Sequence, residues 1–122
     1  MKLIKIETKY CQKQGIPTIF FNSKGLVKIN RQAAELLKID SGMTADFYQD
    51  EHEPRDWYIA KGYADGRYTF RKLDKFGNLA FNNQALVSLI ANSLKLKPSF
   101  NFPIALEPIP EGMHAILTSA RK

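Results

Sequence analysis

The stretch KGLVKINRQAAELLKID, residues 24–40, decides the fold. Its first half alternates, with Val27 and Ile29 apolar around Lys28, as a half-buried strand requires. TIFF (18–21) precedes it, and NSKG (22–25) lies between them. Two runs of β-branched and aromatic residues around a short glycine-containing turn read as a hairpin. After Ile29 the period changes from 2 to 3.6: Ala33, Leu36 and Leu37 recur at i, i+3 and i+4. Asn30 stands where an N-cap belongs, since its side chain can accept a first-turn N–H. DSG (40–42) stops the helix. A strand therefore runs directly into a helix with no loop between them.

The same order recurs downstream in FGNLAFNNQALVSLIAN, residues 76–92. At an offset of 52, Gly25 meets Gly77, Asn30 meets Asn82, Gln32 meets Gln84, Ala33 meets Ala85 and Leu37 meets Leu89. Val27 and Ile29 face Leu79 and Phe81. Past the helices the offset grows to 57, as a loop insertion would make it, and DFYQDEHEPRDWYIA lies over PIALEPIPEGMHAIL. Each unit reads strand, turn, strand, helix, strand, turn, strand. One such unit has too little core to stand alone, whereas two can bury a shared face. The expected fold is α+β and mainly antiparallel β. Two tandem ββαββ units form one pseudo-symmetric barrel or two-sheet core with two helices. Residues 1–122 make a single domain, with the internal repeat at 18–61 and 70–120.

The remaining elements follow from local signals. KLIKIETK near the start reads as an edge strand. TADFYQDE and DWYIAKGY read as strands joined at HEPR, where Pro54 suits a turn. ADGR carries the Asp-Gly signal of a tight turn. YTFRKLD reads as one strand, and KFGN as the next turn. In the second helix Leu86, Leu89, Ile90 and Leu94 share a face, with Asn82 or Asn83 as its cap. NFPIALEPI and MHAILTSA are the last strands, held to edges or strand ends by their prolines.

Composition bounds the function. Of 122 residues, 44% are hydrophobic and 25% charged, which suits a soluble globular chain. The single cysteine, Cys11, allows no internal disulfide and fits a reducing cytoplasm. The lysines of MKLIKIETKY break up any signal-peptide core. ALVSLIA, the longest apolar run, is too short to span a bilayer. A cytoplasmic protein with no membrane partner is expected. The net charge of +6 favours a polyanionic partner, because clustered cations release condensed counterions on binding. The charge is uneven: residues 1–38 and 61–75 are basic, and 46–56 is acidic.

The stretch SKGLVKINRQAAELLKIDSGMTADFY (23–48) resembles the AbrB/MazE/SpoVT swapped-hairpin family. The resemblance is carried by Gly25, the Val27–Ile29 strand, the helix directly after it, Leu37-Lys38-Ile39 and Gly42. It covers about a fifth of the chain well. Tandem copies in one chain are similar to the MraZ arrangement. The resemblance implies a paired-hairpin fold and DNA binding. The chain departs from the family at Asn30, where proline is usual. It also departs at Leu26, Ala34 and Glu35, where the family often carries the arginines that contact DNA. A second resemblance is to Whirly-type single-stranded DNA-binding folds, in which four strands precede a helix. Residues 44–96 fit that order.

Nucleic-acid contact is the best-supported chemistry. In WYIAKGYADGRYTFRKLDKF (57–76), aromatic residues interleave with cations, a pattern in which rings stack bases while ammonium and guanidinium groups hold phosphates. The expected contacts are Lys61, Arg67, Tyr68, Phe70, Arg71, Lys72 and Lys75, joined by Lys24, Lys28 and Arg31 from the first unit. Strand alternation sets Tyr68, Phe70 and Lys72 on one face and Arg71 on the other. DNA is the expected partner, single- or double-stranded, bound by a monomer or homodimer. The alternative is a protein-interaction module, antitoxin-like or a mobile-element accessory, meeting a partner through the acidic 50–56 hairpin. The histidines His52 and His114, and Cys11 in its lysine-rich loop, form no catalytic spacing. No phosphate-binding loop, zinc spacing or nucleophile elbow is present. The expectation is a non-enzyme with no cofactor and no metal.

Overall fold

A computed structural model describes residues 16–62 and 68–118. The edge strand expected near the start, the turn ADGR, Cys11 and Arg67 lie outside the described residues. Among the described residues nine strands and two helices follow in order: β1 (Thr18–Phe21), β2 (Leu26–Ile29), α1 (Arg31–Leu37), β3 (Thr44–Gln49), β4 (Trp57–Lys61), β5 (Tyr68–Thr69), β6 (Arg71–Lys72), β7 (Leu79–Asn82), α2 (Gln84–Leu94), β8 (Phe100–Pro103) and β9 (His114–Ile116). All the strand pairs are antiparallel. They form a five-stranded sheet, β6-β7-β2-β1-β8, and a four-stranded sheet, β5-β3-β4-β9. The fold is α+β with mainly antiparallel sheets, and the sheets stay separate rather than closing into one barrel.

Alternation explains the core. Ile19, Phe21, Val27, Ile29, Leu79, Phe81, Phe100 and Phe102 send one face of the five-stranded sheet inward. Ala45, Trp57, Ile59 and Ile116 do the same from the four-stranded sheet. Ala33, Ala34 and Leu37 of α1 and Leu86, Val87, Ile90, Ala91 and Leu94 of α2 pack into the same cluster. Aromatic rings join the sheets. Phe81 of β7 lies 5.2 Å from Tyr68 and 6.1 Å from Phe47, both in the other sheet, and 4.9 Å from Phe70.

The two hairpin turns are built alike. Asn22 Oδ1 accepts the N–H groups of Lys24 and Leu26, and Asp74 Oδ1 accepts those of Phe76 and Asn78, each 52 positions on. Gly25 and Gly77 then adopt φ of 94° and 92°, a left-handed conformation that costs glycine nothing. Each turn also seats against the start of the helix that follows the other turn's neighbouring strand: the β1–β2 turn against α2, and the β6–β7 turn against α1. The Asn83 N–H donates to Gly25 O at 2.8 Å, and the Arg31 N–H donates to Asn78 Oδ1 at 3.1 Å. A Cβ on Gly25 would come within 3.0 Å of the Gln84 nitrogen, so the approach itself requires glycine.

The helices correspond at a different offset. Asn30 caps α1 by accepting the Ala33 N–H, and Asn83 caps α2 by accepting the Leu86 N–H. The offset here is 53, not 52, and the buried residues agree: Ala33, Ala34 and Leu37 match Leu86, Val87 and Ile90. Leu89, expected to share a face with Leu86, Ile90 and Leu94, is 52% exposed, whereas those three are buried. α2 has 11 residues against 7 in α1, a difference of about one turn. That extra turn, rather than a loop insertion, raises the offset to 57, at which Lys38 and Lys95 end the two helices in left-handed conformations.

Strand register follows the same offsets. In the five-stranded sheet Lys28 pairs with Ala80, 52 positions on. In the four-stranded sheet Tyr58 pairs with Ala115, 57 positions on. The Phe47–Ile59 pair recurs as the bridge between Ile104 and Ile116, both members displaced by 57.

Candidate nucleic-acid interface

The outer face of the five-stranded sheet gathers the side chains that alternation turns away from the core. Across its centre runs one row of cross-strand neighbours: Arg71 on β6, Ala80 on β7, Lys28 on β2, Phe20 on β1 and Asn101 on β8. Five strands at their usual spacing make this row about 19 Å long. The Lys28 ammonium lies over the Phe20 ring, 5.4 Å from its centroid, where the ring's electron-rich face attracts it. Arg71 and Asn101 are exposed, and Lys28 and Phe20 are half-buried. Ala80 is fully covered yet stands apart from the main core cluster, as its place on the outer face requires.

The other expected contacts are distributed elsewhere. YTFRKLD is not one strand. Tyr68 and Thr69 pair with β3, and Arg71 and Lys72 pair with β7, so the chain changes sheets at Phe70. Phe70 is 1% exposed and packs edge-on against Phe81, so no base can stack on it. Tyr68 is half-buried, its ring stacked on Phe81 and edge-on to Phe47. The expected pairing of Tyr68, Phe70 and Lys72 on one face fails because that alternation presumes a single sheet. Lys24 and Lys75 sit in the two hairpin turns. These turns lie at opposite ends of the sheet, because β2 and β7 run antiparallel. Arg31 lies 3.8 Å from Glu35, an exposed i,i+4 pair of small energetic value. Arg31 and Lys72 line a cleft of about 590 Å³ beside α1, with Lys38, Glu35 and Asp40. Lys61 belongs to the other sheet.

Sequence reasoning passed over Phe20. Its signal was present in the hairpin: with Ile19 and Phe21 inward, Phe20 must face outward beside Lys28.

Charge around the row is shaped by Asp74. Its carboxyl is held below its ordinary value, first by the Asn78 side-chain amide that donates to it. Partial desolvation opposes this, and the backbone N–H groups of Phe76 and Asn78 and the Lys28 ammonium add to it. A carboxyl depressed in the folded state stabilises fully above its unfolded value, and that contribution is lost as pH falls through the folded one. Asp74→Asn keeps an oxygen acceptor for the turn, as Asn22 has, but removes the titration. The urea midpoint of the variant is therefore expected to fall less than that of the wild type between pH 7 and pH values below 3.8, the ordinary carboxyl value. Equal losses would show that Asp74 contributes nothing to acid sensitivity.

Carboxylates gather near the outer face of the four-stranded sheet. Tyr48 and Tyr58 are cross-strand partners on the outer face of the four-stranded sheet. The Tyr58 phenol is pushed above its ordinary value by partial burial first, then by Asp56, Asp50 and Glu111. In the 50–56 hairpin the Asp50 carboxylate accepts the N–H groups of His52 and Glu53, the work of a turn. Among the described residues no three His, Cys, Asp or Glu side chains are placed to hold a metal ion. No helix there is long and apolar enough to cross a membrane. Comparison with protein-family models, curated proteins and solved structures finds no match for this chain.

Proposed function

We propose that the protein binds single-stranded nucleic acid on the outer face of its five-stranded sheet, without catalysing a reaction. The observation that carries this reading is the row Arg71, Ala80, Lys28, Phe20 and Asn101. It sets two cations and an aromatic ring on one outer sheet face. Phosphates are held by Lys28 and Arg71, a base stacks on Phe20, and Asn101 offers an amide to base edges. A ring face reaches only an unpaired base, which favours single strands over a duplex. The positive balance of the whole chain favours the same class of partner.

The same reading includes a duplicated architecture. We infer that residues 18–61 and 70–120 are two copies of one ββαββ unit related by a pseudo-twofold axis through the Lys28–Ala80 and Tyr58–Ala115 pairs. The matching turns, caps and registers support it, as do the reciprocal contacts of each turn with the other unit's helix. A swapped-hairpin arrangement like that of the AbrB/MazE/SpoVT family is compatible with those contacts. The arginine-based DNA contacts of that family are not carried over, because Leu26, Ala34 and Glu35 stand in those places.

A labelled oligothymidine and a duplex of equal length, titrated at several salt concentrations, test the binding. Two phosphate contacts to a single strand predict that log affinity falls with log salt at a slope of about −1.4. The single strand should bind more tightly than the duplex. No binding to either form at low salt would end this reading. A stronger duplex complex would transfer it to double-stranded DNA.

A second reading has its own observation. Tyr48, Tyr58 and the carboxylates of Asp50, Asp56 and Glu111 place an aromatic and acidic surface on the other sheet. Such a surface suits a basic protein partner. Recovery of a partner whose capture fails on reversing Asp50, Glu51 and Glu53 would favour it.

A further inference from the structure

The proposed duplication makes one broken correspondence informative. At the offset of 57, Trp57 and His114 are counterparts, and each opens its strand, β4 or β9. The two strands pair so that Trp57 faces Ile116 and His114 faces Ile59, which the pseudo-twofold axis interchanges. Trp57 is 4% exposed, and its Nε1–H donates to Ser93 Oγ of α2 at 2.7 Å. Ser93 Oγ in turn donates to Ile90 O at 2.8 Å. The indole thus fills the space between its strand and α2.

On the other side, beside α1, a smaller imidazole stands in the corresponding place. There the molecule has a cleft of about 560 Å³, within the range of small-molecule sites, about 300–1,000 Å³. Leu36 and Leu37 of α1 and the Tyr48 ring supply apolar lining, and Lys38, Lys61 and His114 supply polar groups. His114 is fixed by its backbone contact. Nδ1 lies 2.9 Å from Ala105 O, an atom that can only accept, so Nδ1 carries the proton. Glu111 also lines the cleft. Two ammonium groups against one carboxylate leave the lining with a single net positive charge when His114 is neutral.

We infer that this cleft is a binding site for a small organic monoanion with an apolar body, such as an aryl or alkyl carboxylate or sulfonate. The apolar body lies against Leu36, Leu37 and Tyr48, and the anionic group meets the Lys38 and Lys61 ammonium groups. Glu111 disfavours a second negative charge, so a monoanion is preferred to a dianion. The assignment rests on the proposed duplication, because it treats the cleft as the place left open where the other unit carries Trp57.

The test uses 8-anilinonaphthalene-1-sulfonate, a fluorescent aromatic monoanion, added to the full folded chain. The wild type should bind it saturably at one site. His114→Trp fills the cleft with the side chain that its counterpart already carries, and Lys61→Ala removes a cation from an exposed position. Each should weaken binding about ten-fold or more, the equivalent of a lost ion pair or contact surface. Near-UV circular dichroism confirms that each variant is folded. Absence of saturable binding by the wild type overturns the assignment, as does unchanged binding in both variants. If His114→Trp unfolds, Lys61→Ala decides alone: loss of the probe there supports the assignment, and unchanged binding overturns it. Oligothymidine binding should be unchanged in Lys61→Ala, because Lys61 lies outside the five-stranded sheet, so failure of the nucleic-acid reading is seen separately.

Discussion

Replacing Phe81 by alanine is expected to destabilise the protein by about 3–5 kcal/mol, the cost of removing a buried aromatic ring and leaving its cavity. Phe81 is 4% exposed and belongs to the five-stranded sheet, but its ring contacts are with Phe47 and Tyr68 of the other sheet and with Phe70. Favourable ring pairs add about 0.5–1.5 kcal/mol each beyond the area they bury, so the loss should fall toward the upper end. Urea unfolding should show a lower midpoint with an unchanged slope. Leu89→Ala gives the contrast. The expected face with Leu86, Ile90 and Leu94 would put Leu89 in the core, yet it is 52% exposed, and its loss should lie within about 0.5 kcal/mol. Comparable losses in the two variants would contradict the packing described for α2 and for the junction between the sheets.

That contrast shows what the chain makes legible. The first hairpin turn was readable because its chemistry is local: Asn22 with Gly25 fixes NSKG within a few residues. The second was read one residue late, as KFGN, with Asp74 left in the strand before it, although its carboxylate accepts the turn's N–H groups. The helix starts were readable for the same reason, although Asn82 and Asn83 could not be separated by letters. The burial of Leu86, Val87 and Ile90 at an offset of 53 resolves that choice, and burial is a property of the assembled core. Phe70 failed differently. A period of two says which side of a strand a residue takes only while the strand stays in one sheet, and here the chain leaves β5 and enters β6 at that residue. The candidate site was half-legible. Lys28 and Arg71 were identified by charge and residue type. Their membership in one row depends on β6 pairing with β7 and β7 with β2, contacts between residues distant in sequence. Lys24 and Lys75 carry the same charge but lie at opposite ends of the sheet, so composition alone could not rank them.

Reversing the charge of Lys28 should have the largest effect on nucleic-acid binding. Lys28 sits between Ala80 and Phe20 in the row, with its ammonium over the Phe20 ring. Lys28→Glu removes a phosphate partner, places a carboxylate beside the stacking ring, and adds a negative charge where the Asp74 carboxylate already feels Lys28. Oligothymidine affinity at low salt should fall by about ten- to a hundred-fold, a loss of roughly 1.4–2.8 kcal/mol. The salt slope should shrink by about 0.7, the share of one phosphate on a single strand. Phe20→Ala separates stacking from charge. It should cost about 1–3 kcal/mol while leaving the salt slope near its wild-type value. Losing the Lys28–Phe20 contact removes about 0.5–1 kcal/mol of stability in either variant, so thermal melts must show that both remain folded at the assay temperature. Lys24→Glu and Lys75→Glu change the net charge by the same amount as Lys28→Glu but act at the two turns. If all three reversals weaken binding equally, the chain attracts nucleic acid only through its overall charge, and the row has no special part in it. A loss concentrated at Lys28, with a stacking loss at Phe20 that salt does not alter, is the pattern that only a site on this sheet face produces.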